Sequence, residues 1–379
     1  NMIVYITPFI FCFLISLDHK WALNRQLRPI LFVLLATIFC GGLMTGNDWP
    51  TYEYNYDHDV SERMEIGYYY YAKLWQQLGI PFVFFRFINK VIIFYIYWRF
   101  IDFLRVPFYF TLMIFCGTFA LYCFINDPFR SLFSFGFFLL AVMAMLKKNN
   151  MISFFLLFIA SLFHISTLLI LPCFFIKRIQ WKSIYIIAFY IIFNISFSSN
   201  TLILEVMKLF SWLPFVGDKI VIYLGMVEQN PNLVDVNGEV FTLGAMIRHV
   251  CFILMIIYRK KILEHQYGEI LFLYAFIYLL LFRIGLSFNV LGRISYFYFI
   301  FYISIFSIIK ENLSNYRKSY SLSCFILFLL FMYNTLTTSY TYLPYTNIWE
   351  YILKGDIPSY GYRENYNYEK SPYRNEHQL

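Results

Sequence analysis

Long apolar runs recur from one end of the chain to the other, and short polar segments separate them. The runs fall at residues 2–17, 29–45, 82–98, 107–125, 129–146, 151–176, 183–199, 241–258, 269–287, 294–309 and 319–338. Most approach the roughly 20 residues that an α-helix needs to cross the hydrocarbon core of a bilayer. The pattern predicts an all-α, polytopic integral membrane protein with about 11–12 transmembrane helices, and we expect residues 1–353 to form one integral membrane domain.

The positions of lysine and arginine indicate which segments face the inside. They cluster in short segments between the runs: Lys20, Arg25 and Arg28; Arg99 and Arg105; Lys147 and Lys148; Lys177, Arg178 and Lys182; Arg259, Lys260 and Lys261; and Lys310, Arg317 and Lys318. Because inner loops are enriched in these residues, we predict that all six segments are inner. The first run has basic residues after it and none before it, so we expect a retained helix with its N-terminus outside.

On this topology, residues 46–81 and 200–240 are outer loops. We expect short surface helices in the second of them, which mixes amphipathic stretches with proline and glycine. Residues 354–379 are polar and rich in tyrosine and asparagine, so we expect a flexible outer tail.

The run at 151–176 does not fit the alternation, because inner segments flank it on both sides. Two short helical arms that turn at Phe163-His164-Ile165-Ser166 would remove the conflict, with Ser166 as the cap of the second arm. A broken or re-entrant helix at membrane depth is tolerated only against protein or water. The alternative is one long tilted helix, with one of the two flanking basic loops on the side opposite to the predicted one.

Composition narrows the class of protein. Of the 379 residues, 60% are hydrophobic and only 14% are charged, which excludes an ordinary soluble domain. The net charge of +8 lies in the loops and forms no contiguous basic face, so we expect no nucleic-acid partner. All seven cysteines lie in apolar runs without a CxxC pair, and we expect neither a disulfide framework nor a metal site.

Arg248 lies in the middle of an apolar run, FTLGAMIRHVCFILMIIY (241–258). An arginine in hydrocarbon is costly and is kept only where it faces protein, water or an anion. On the predicted topology, other cationic or titratable groups lie at a similar depth in the outer half of the membrane: Arg130, His164, Arg283 and Arg293. Asp48, Glu53 and Glu65 of the first outer loop lie above them.

Several arginines at one depth suit a pyrophosphate, because guanidinium groups pair bidentately with phosphate oxygens. A histidine beside them would serve as a general base. Each of these residues also has a purely structural interpretation. Arg130 would pair with Asp127, Arg293 would lie at the membrane interface, and Arg248 would form an ion pair. His164 would only satisfy the hydrogen bonds of a turn. Arg86 and Lys90 are predicted to reach the interface or to pair with the outer loop. The tyrosines at 68–71 are candidates for stacking on sugar rings.

Motifs along the chain, taken in order, resemble one known family. GNDWPTYEYNY (46–56) and EIGYYYYAKL (65–74) resemble its G-x-D-x-x-x-Y … E-x-G-Y opening. INDPFRSLFSFGFFLLAV (125–142) resembles its Asn-x-x-x-Arg helix start, with Arg130 as the arginine, and ASLFHISTLLI (160–170) its Phe-His-x-Ser element, with His164 as the histidine. GRISYFYF (292–299) and LPY (343–345) resemble its late segments, with Arg293 as the arginine. The family is the EpsG-like branch of the Wzy-type polysaccharide polymerases. Where the family has an Arg-Gln-Gly stretch, this chain departs from the pattern and has Arg130-Ser131-Leu132.

The resemblance implies a metal-independent membrane glycosyltransferase of the bacterial inner membrane, active at the periplasmic face and without a cofactor. It implies an O-antigen or exopolysaccharide polymerase that transfers a growing glycan from undecaprenyl pyrophosphate onto an incoming lipid-linked repeat. The implied partners are both lipid-linked oligosaccharides, membrane lipid and a co-polymerase that sets chain length. Arg130, Arg248, Arg283 and Arg293 would hold the pyrophosphate, and His164, Asp48 or Glu65 would be the base.

Two other functions remain open at this point. An O-antigen ligase would use the same arginine chemistry with a lipid A core acceptor. A flippase of lipid-linked oligosaccharides would instead need cationic groups along a cavity that opens to both sides.

Overall fold

Helices make up the regular structure of the chain. The computed structural model describes residues 2–18, 25–60, 64–176, 179–198, 200–209, 211–212, 217, 220–222, 224–225, 242–287 and 289–373. Within these ranges no strand occurs, and Gly42 and Asn347 form an isolated β-bridge. Most of the predicted outer loop 200–240 and the basic residues Lys20, Lys177 and Arg178 lie outside the described residues.

The helices follow the predicted runs closely. In chain order they are α1 (Ile3–Leu17), α2 (Leu27–Cys40), α3 (Trp49–Asp57), α4 (Ile66–Gln77), α5 (Phe82–Phe103), α6 (Phe108–Gly117), α7 (Phe129–Leu146), α8 (Asn150–Phe163), α9 (Thr167–Phe175), α10 (Ser183–Ser196), α11 (Asn200–Leu209), α12 (Leu243–Ile257), α13 (Arg259–Leu263), α14 (Gly268–Ser287), α15 (Asn289–Ser295), α16 (Phe299–Asn312), α17 (Arg317–Thr338), α18 (Ile348–Ile352) and α19 (Tyr360–Lys370). A π-helical turn at Leu121–Ile125 and 3₁₀ turns at Tyr296–Tyr298 and Tyr340–Tyr342 complete the described elements.

Length and apolarity place this chain among polytopic membrane proteins. In the described part, four helices are long and apolar enough to cross a membrane: Phe129–Leu146, Gly268–Leu286, Gly292–Asn312 and Arg317–Thr338. Shorter apolar helices accompany them, namely α1, α2, α6, α8, α10 and most of α12. The predicted fold class is confirmed, whereas the count of about 11–12 crossings stays a prediction.

The run at 151–176 is broken where the sequence predicts it. α8 ends at Phe163, and His164 takes extended backbone angles of φ −155° and ψ 117° that leave the helix. α9 begins at Thr167. At its other end, α8 is capped by Asn149, whose side chain accepts from the backbone N–H of Ile152 at 3.3 Å. The helix break is confirmed, while a return of the second arm and a cap by Ser166 stay predictions.

The run at 107–125 is not the single helix that its apolarity predicts. α6 ends at Gly117, and Thr118 leaves the helical region with φ −136° and ψ −88°. The Thr118 hydroxyl donates to the carbonyl of Ile114 at 2.5 Å. Such a local side-chain bond competes with the helical backbone ladder. The chain then continues through the π-helical turn, so the run contains two helical segments instead of one.

The chain divides into two compact units, residues 1–164 with 313–379 (unit 1) and residues 165–312 (unit 2). In unit 1, α7 packs against α5 and α8, and α6 packs against α1 and α17. The Ser153 hydroxyl of α8 donates to the Ala141 carbonyl of α7 at 2.8 Å. In unit 2, α14 is the central helix and contacts α10, α12, α13, α15 and α16. The prediction of one integral membrane domain stays a prediction.

A buried charge cluster lies inside unit 1. Arg86 and Lys90 of α5 lie against Asp127, with Nε–Oδ2 at 2.5 Å and Nζ–Oδ1 at 3.9 Å. The Arg86 guanidinium also donates to the carbonyls of Gly42, Leu43 and Thr45 at 2.9–3.1 Å. The expectation that these cations reach the interface is wrong, because Arg86 is only 4% exposed and Lys90 is fully buried. Asp127 therefore pairs with α5.

The tail does not match the flexible segment predicted from its composition. Residues Tyr360–Lys370 form α19, and Arg363 on this helix is buried. Its guanidinium pairs bidentately with Glu53 of α3, at 2.8 Å and 2.6 Å. Asn367 donates to the Thr341 carbonyl at 3.0 Å. Ion pairing with α3 thus accompanies a helix in a segment that has too few apolar residues to fold by itself.

Residues 46–81, the predicted first outer loop, contain α3 and α4, which further polar contacts connect. Asp59, in the turn after α3, accepts from Lys73 Nζ at 2.7 Å and from the Tyr69 hydroxyl at 3.0 Å, both on α4. These hydrogen bonds lower the pKa of the Asp59 carboxyl and raise the pKa of Lys73. Gln76 of α4 also donates to the Tyr56 carbonyl at 2.8 Å.

Substitution of Asp127 by asparagine should strongly destabilise the protein. It leaves two buried cations without a countercharge, a change that costs about 3–5 kcal/mol. Asp102→Asn is the control, because the Arg28–Asp102 pair is far more exposed and is expected to contribute about 1 kcal/mol or less. Thermal unfolding in detergent, followed by tryptophan fluorescence, measures both midpoints. Equal shifts for the two variants would contradict the assignment of Asp127 as the central countercharge.

Candidate active site

Glu65 joins two of the predicted site residues in unit 1. One carboxylate oxygen accepts from Nη1 of Arg130 in a close ion pair, and the other lies 3.2 Å from Nδ1 of His164. The side chain of Glu65 is only 10% exposed, whereas those of Arg130 and His164 are 24% and 20% exposed. The cluster therefore opens outward through its arginine and its histidine. We call Arg130, Glu65 and His164 the triad.

Each member of the triad lies at the end of a helix. Arg130 is the second residue of α7, Glu65 is the N-cap of α4 and His164 is the C-cap of α8. Polar side chains at helix ends in an apolar bundle have room to converge without interrupting the helical backbone. The break at His164 thus frees an imidazole to turn toward Glu65.

Gly67 allows α4 to approach the end of α8. A Cβ atom on this glycine would lie 2.7 Å from Cβ and 2.8 Å from the carbonyl oxygen of Leu162. No larger residue fits at that distance without moving a backbone segment. Because Gly67 and Leu162 each lie two residues from a triad member, this contact fixes the separation between Glu65 and His164.

Asp48, the other predicted base, lies one helical turn before Tyr52, and Tyr52 contacts Arg130 of the triad. It is the N-cap residue of α3, and its backbone carbonyl accepts from the N–H of Tyr52 at 3.3 Å. The Tyr52 hydroxyl lies 3.4 Å from Nε of Arg130, whose Cζ is 5.5 Å from the tyrosine ring centre. In the structure, the predicted acid that pairs with His164 is Glu65.

Aromatic rings pack against one another beside the helix ends that carry the triad. Tyr68 is 2% exposed and packs edge-on against Phe129 and Phe133, with ring centres 6.1 Å and 6.2 Å away. Tyr71 donates to Oδ1 of Asn89 at 2.7 Å. Of the tyrosines predicted to stack on sugars, Tyr68 is therefore core, whereas Tyr70 is 63% exposed.

Arg248 lies in unit 2, half-buried on α12. Its Nε and Nη2 donate to the hydroxyl of Tyr278 at 2.9 Å and 2.6 Å, and Nη1 donates to the carbonyl of Gly244 at 2.8 Å. Its Cζ lies 3.5 Å from the centre of the Phe282 ring. Tyr278, Gly244 and Phe282 orient the guanidinium through neutral groups.

Arg283 and Arg293 also belong to unit 2. Arg283 is 2% exposed and donates from Nε and Nη2 to the carbonyl of Phe197, at the end of α10. Its Nη1 is enclosed and, among the described residues, has no hydrogen-bond partner. Arg248 and Arg283 both lie within electrostatic reach of the Tyr190 hydroxyl. Arg293 is exposed in the last turn of α15. A shared location of all the predicted arginines stays a prediction.

Comparison with known families agrees with the motifs. The sequence model of the EpsG family matches residues 25–351. The chain belongs to the EpsG family. Membership supports a polysaccharide-polymerase type of function in a multi-pass membrane protein of polysaccharide biosynthesis. The matched region includes every predicted site residue of this EpsG protein. No curated protein and no solved structure matches the chain.

Sequence reasoning missed the pairings inside this EpsG protein. Glu65 was predicted as a possible base, but its contact with Arg130 and His164 joins residues that are far apart in the chain. The one available signal is the segment EIGYYYYAKL, in which a glycine closely follows the acid. In the described residues, no group of three or more His, Cys, Asp or Glu side chains is arranged to hold a metal ion.

Gly67→Ala should impair activity by moving α4 away from Leu162. The added methyl group would increase the Glu65–His164 separation, and a displacement of about 1 Å at such a contact can lower a rate about a hundredfold. Gly361→Ala is the matched control, because a Cβ at Gly361 meets nothing within 4 Å. Surface polysaccharide of a deletion strain complemented with each variant is compared on a gel. Full-length polymer from Gly67→Ala would show that the contact does not set the site.

Proposed function

We propose that this EpsG-family protein is a polysaccharide polymerase that works on polyprenyl-pyrophosphate-linked oligosaccharides. It would transfer the growing glycan from undecaprenyl pyrophosphate onto an incoming undecaprenyl-pyrophosphate-linked repeat. Family membership supports the polymerase class. The observation that carries the proposal is the hydrogen-bonded triad of Arg130, Glu65 and His164, which is the arrangement expected for an oriented general base.

His164 is the base in this proposal, and Glu65 is its positioning residue. A carboxylate paired with Arg130 accepts hydrogen bonds through both oxygens, so the nitrogen of His164 that faces it donates. Nδ1 then carries the proton, and Nε2 is the nitrogen that would accept the proton of the substrate in this proposal. Neither carboxylate oxygen of Glu65 is as well placed to accept a substrate proton, because each already has a partner.

The proposed step exchanges the glycosyl–pyrophosphate bond of the donor for a new glycosidic bond. A hydroxyl of the incoming repeat attacks the anomeric carbon of the donor sugar while Nε2 of His164 takes the hydroxyl proton. A new C–O bond forms, and the bond from the anomeric carbon to the pyrophosphate oxygen breaks. The electron pair of that bond leaves with the lipid pyrophosphate, which gains one negative charge. The imidazolium formed is stabilised by Glu65.

Arg248 and Arg283 are the proposed pyrophosphate-binding residues of unit 2. Fixed cations stabilise negative charge most effectively when neighbouring groups already hold them in place. Arg248 is held by Tyr278 and Phe282, and Arg283 keeps an enclosed N–H for which no described residue supplies an acceptor. Binding of pyrophosphate by Arg293 stays a prediction. Binding by Arg130 also stays a prediction, because Arg130 already pairs with Glu65.

The proposed location is the bacterial inner membrane, with the active site facing the periplasm. The basic inner segments of the sequence support this orientation. A co-polymerase that sets chain length is the proposed partner, and no metal or cofactor takes part in the proposed step.

The decisive experiment incubates purified protein with one defined undecaprenyl-pyrophosphate-linked repeat, with and without a chelator, and separates the products on a gel. We expect a ladder of polymers that a chelator does not remove. His164→Ala should lower the rate by about a hundredfold to ten-thousandfold, the contribution of a general base. His58→Ala, an exposed histidine of the first outer loop, is the control and should leave the ladder intact.

The Glu65→Gln variant distinguishes positioning from structure. Loss of the carboxylate destabilises the protonated imidazole, so the acid limb of the rate–pH profile should move to lower pH. A merely structural role would lower the rate at every pH alike. If the purified protein leaves single repeats unextended but attaches them to lipid A core, the ligase is correct. Repeats trapped on the inner leaflet of a deletion strain would indicate a flippase.

Arg248→Ala should abolish chain extension while the protein stays folded. Loss of one fixed donor to a developing charge lowers a rate by about a hundredfold to a thousandfold. Arg99→Ala is the control, because Arg99 is exposed and lies on a predicted inner segment. The ladder assay gives the rate, and thermal unfolding in detergent checks the fold. Polymer like that of the wild type from Arg248→Ala would remove Arg248 from the site.

A further inference from the structure

A cleft in unit 2 lies on the side of the membrane predicted to be inner. It has a volume of about 530 Å³ and is lined by residues from α12, α13 and the start of α10. None of the residues of the proposed active site lines it. Its polar lining consists of Arg259, Lys260, Glu264 and the hydroxyl-bearing Ser183.

The guanidinium of Arg259 is held in position within this cleft. Nη1 donates to the Ser183 hydroxyl at 3.1 Å and Nη2 to the Ile179 carbonyl at 3.4 Å. Its Cζ lies 5.4 Å from the centre of the Phe272 ring. Nε is enclosed and, in the part of the chain that the structure describes, has no hydrogen-bond partner. A cation fixed on several sides is suited to bind an anion.

The neighbouring charges leave the cleft positive. Lys260 is exposed and adds a second cation to the lining. Glu264 is the acid of the lining, and its carboxylate accepts from Nζ of Lys261 at 3.0 Å. The start of α10 adds the positive end of a helix dipole, since no side chain caps this helix.

The rest of the lining is apolar and continues onto an exposed apolar surface. Ile256, Ile257 and Leu263 form this part, and Ile257 is 66% exposed. Trp181, which is 50% exposed, precedes α10. An exposed tryptophan beside basic residues is typical of the boundary between hydrocarbon and headgroups. The cleft therefore presents cations at headgroup level and apolar side chains at acyl-chain level.

From this combination we propose that the cleft binds the phosphate of an anionic lipid of the inner leaflet. Arg259 and Lys260 contact the phosphate, and an acyl chain lies along Ile256, Ile257 and Leu263. A free phosphate would use the same cations but would gain nothing from the apolar part. Basic pockets between helices on the inner side commonly recognise anionic headgroups.

Native mass spectrometry of the detergent-purified protein tests the proposal. The protein is titrated with phosphatidylglycerol, with phosphatidylcholine and with inorganic phosphate. We expect one tightly held phosphatidylglycerol that inorganic phosphate does not displace. Arg259→Gln with Lys260→Gln should weaken this binding by about tenfold or more. Lys260→Glu, on an exposed side chain that does not support the fold, should weaken it in the same direction.

The controls carry the same charge changes on another predicted inner segment. They are Arg317→Gln with Lys318→Gln, and Lys318→Glu, in unit 1. Both should bind phosphatidylglycerol as the wild type does. The proposal is overturned if the controls lose as much affinity as the cleft variants, or if phosphatidylcholine binds equally well. Displacement by inorganic phosphate at comparable concentration would assign the cleft to free phosphate instead of lipid.

Discussion

A charge inside an apolar helical bundle must be matched by an opposite charge or by backbone carbonyls, and Arg86 has both. It pairs with Asp127 and gathers three carbonyls from the segment that follows α2. Asp127 adopts a positive φ of 67° at the turn into α7, so its backbone is also held in an unusual conformation. The segments that lead to Asp48 and to Arg130 are therefore tied to the same guanidinium.

In the triad, closer to the surface, a charge is again matched by an opposite charge. Glu65 shares its two oxygens between a permanent cation and a titratable ring, so one residue both neutralises Arg130 and orients His164. Buried aromatic rings pack beside it, while the side chain of His164 is 20% exposed. In the proposed function, this arrangement suits a substrate whose lipid part stays in the membrane and whose sugar part remains in water.

Much of the fold could be predicted from the sequence, because apolar runs record burial in lipid or protein directly. The boundaries of α7 coincide with its run, and the break at His164 follows from the conflict between inner segments. The division at Thr118 was missed, since apolar residues continue on both sides of it. Arg248 was recognised as a site candidate because its cost in hydrocarbon depends on residue type alone.

The partners of charged residues could not be predicted, because pairing depends on tertiary packing. Asp127 lies close to Arg130 in sequence, yet it pairs with Arg86, 41 residues earlier. Likewise, residues Tyr360–Lys370 have the composition of a flexible segment. In the structure they form a helix that pairs with Glu53. The acid that orients His164 is 99 residues away from it, so no local pattern identifies it.

The ion pair between Glu53 and Arg363 also sets an order of events during biosynthesis. The two residues are 310 positions apart, and a ribosome adding about 5–20 residues per second needs roughly 15–60 s to pass from one to the other. Throughout that interval the acid of α3 has been translated but its partner has not. The contact between α3 and α19 therefore forms only after Arg363 has been translated, so Glu53 is synthesised well before the residue that neutralises it.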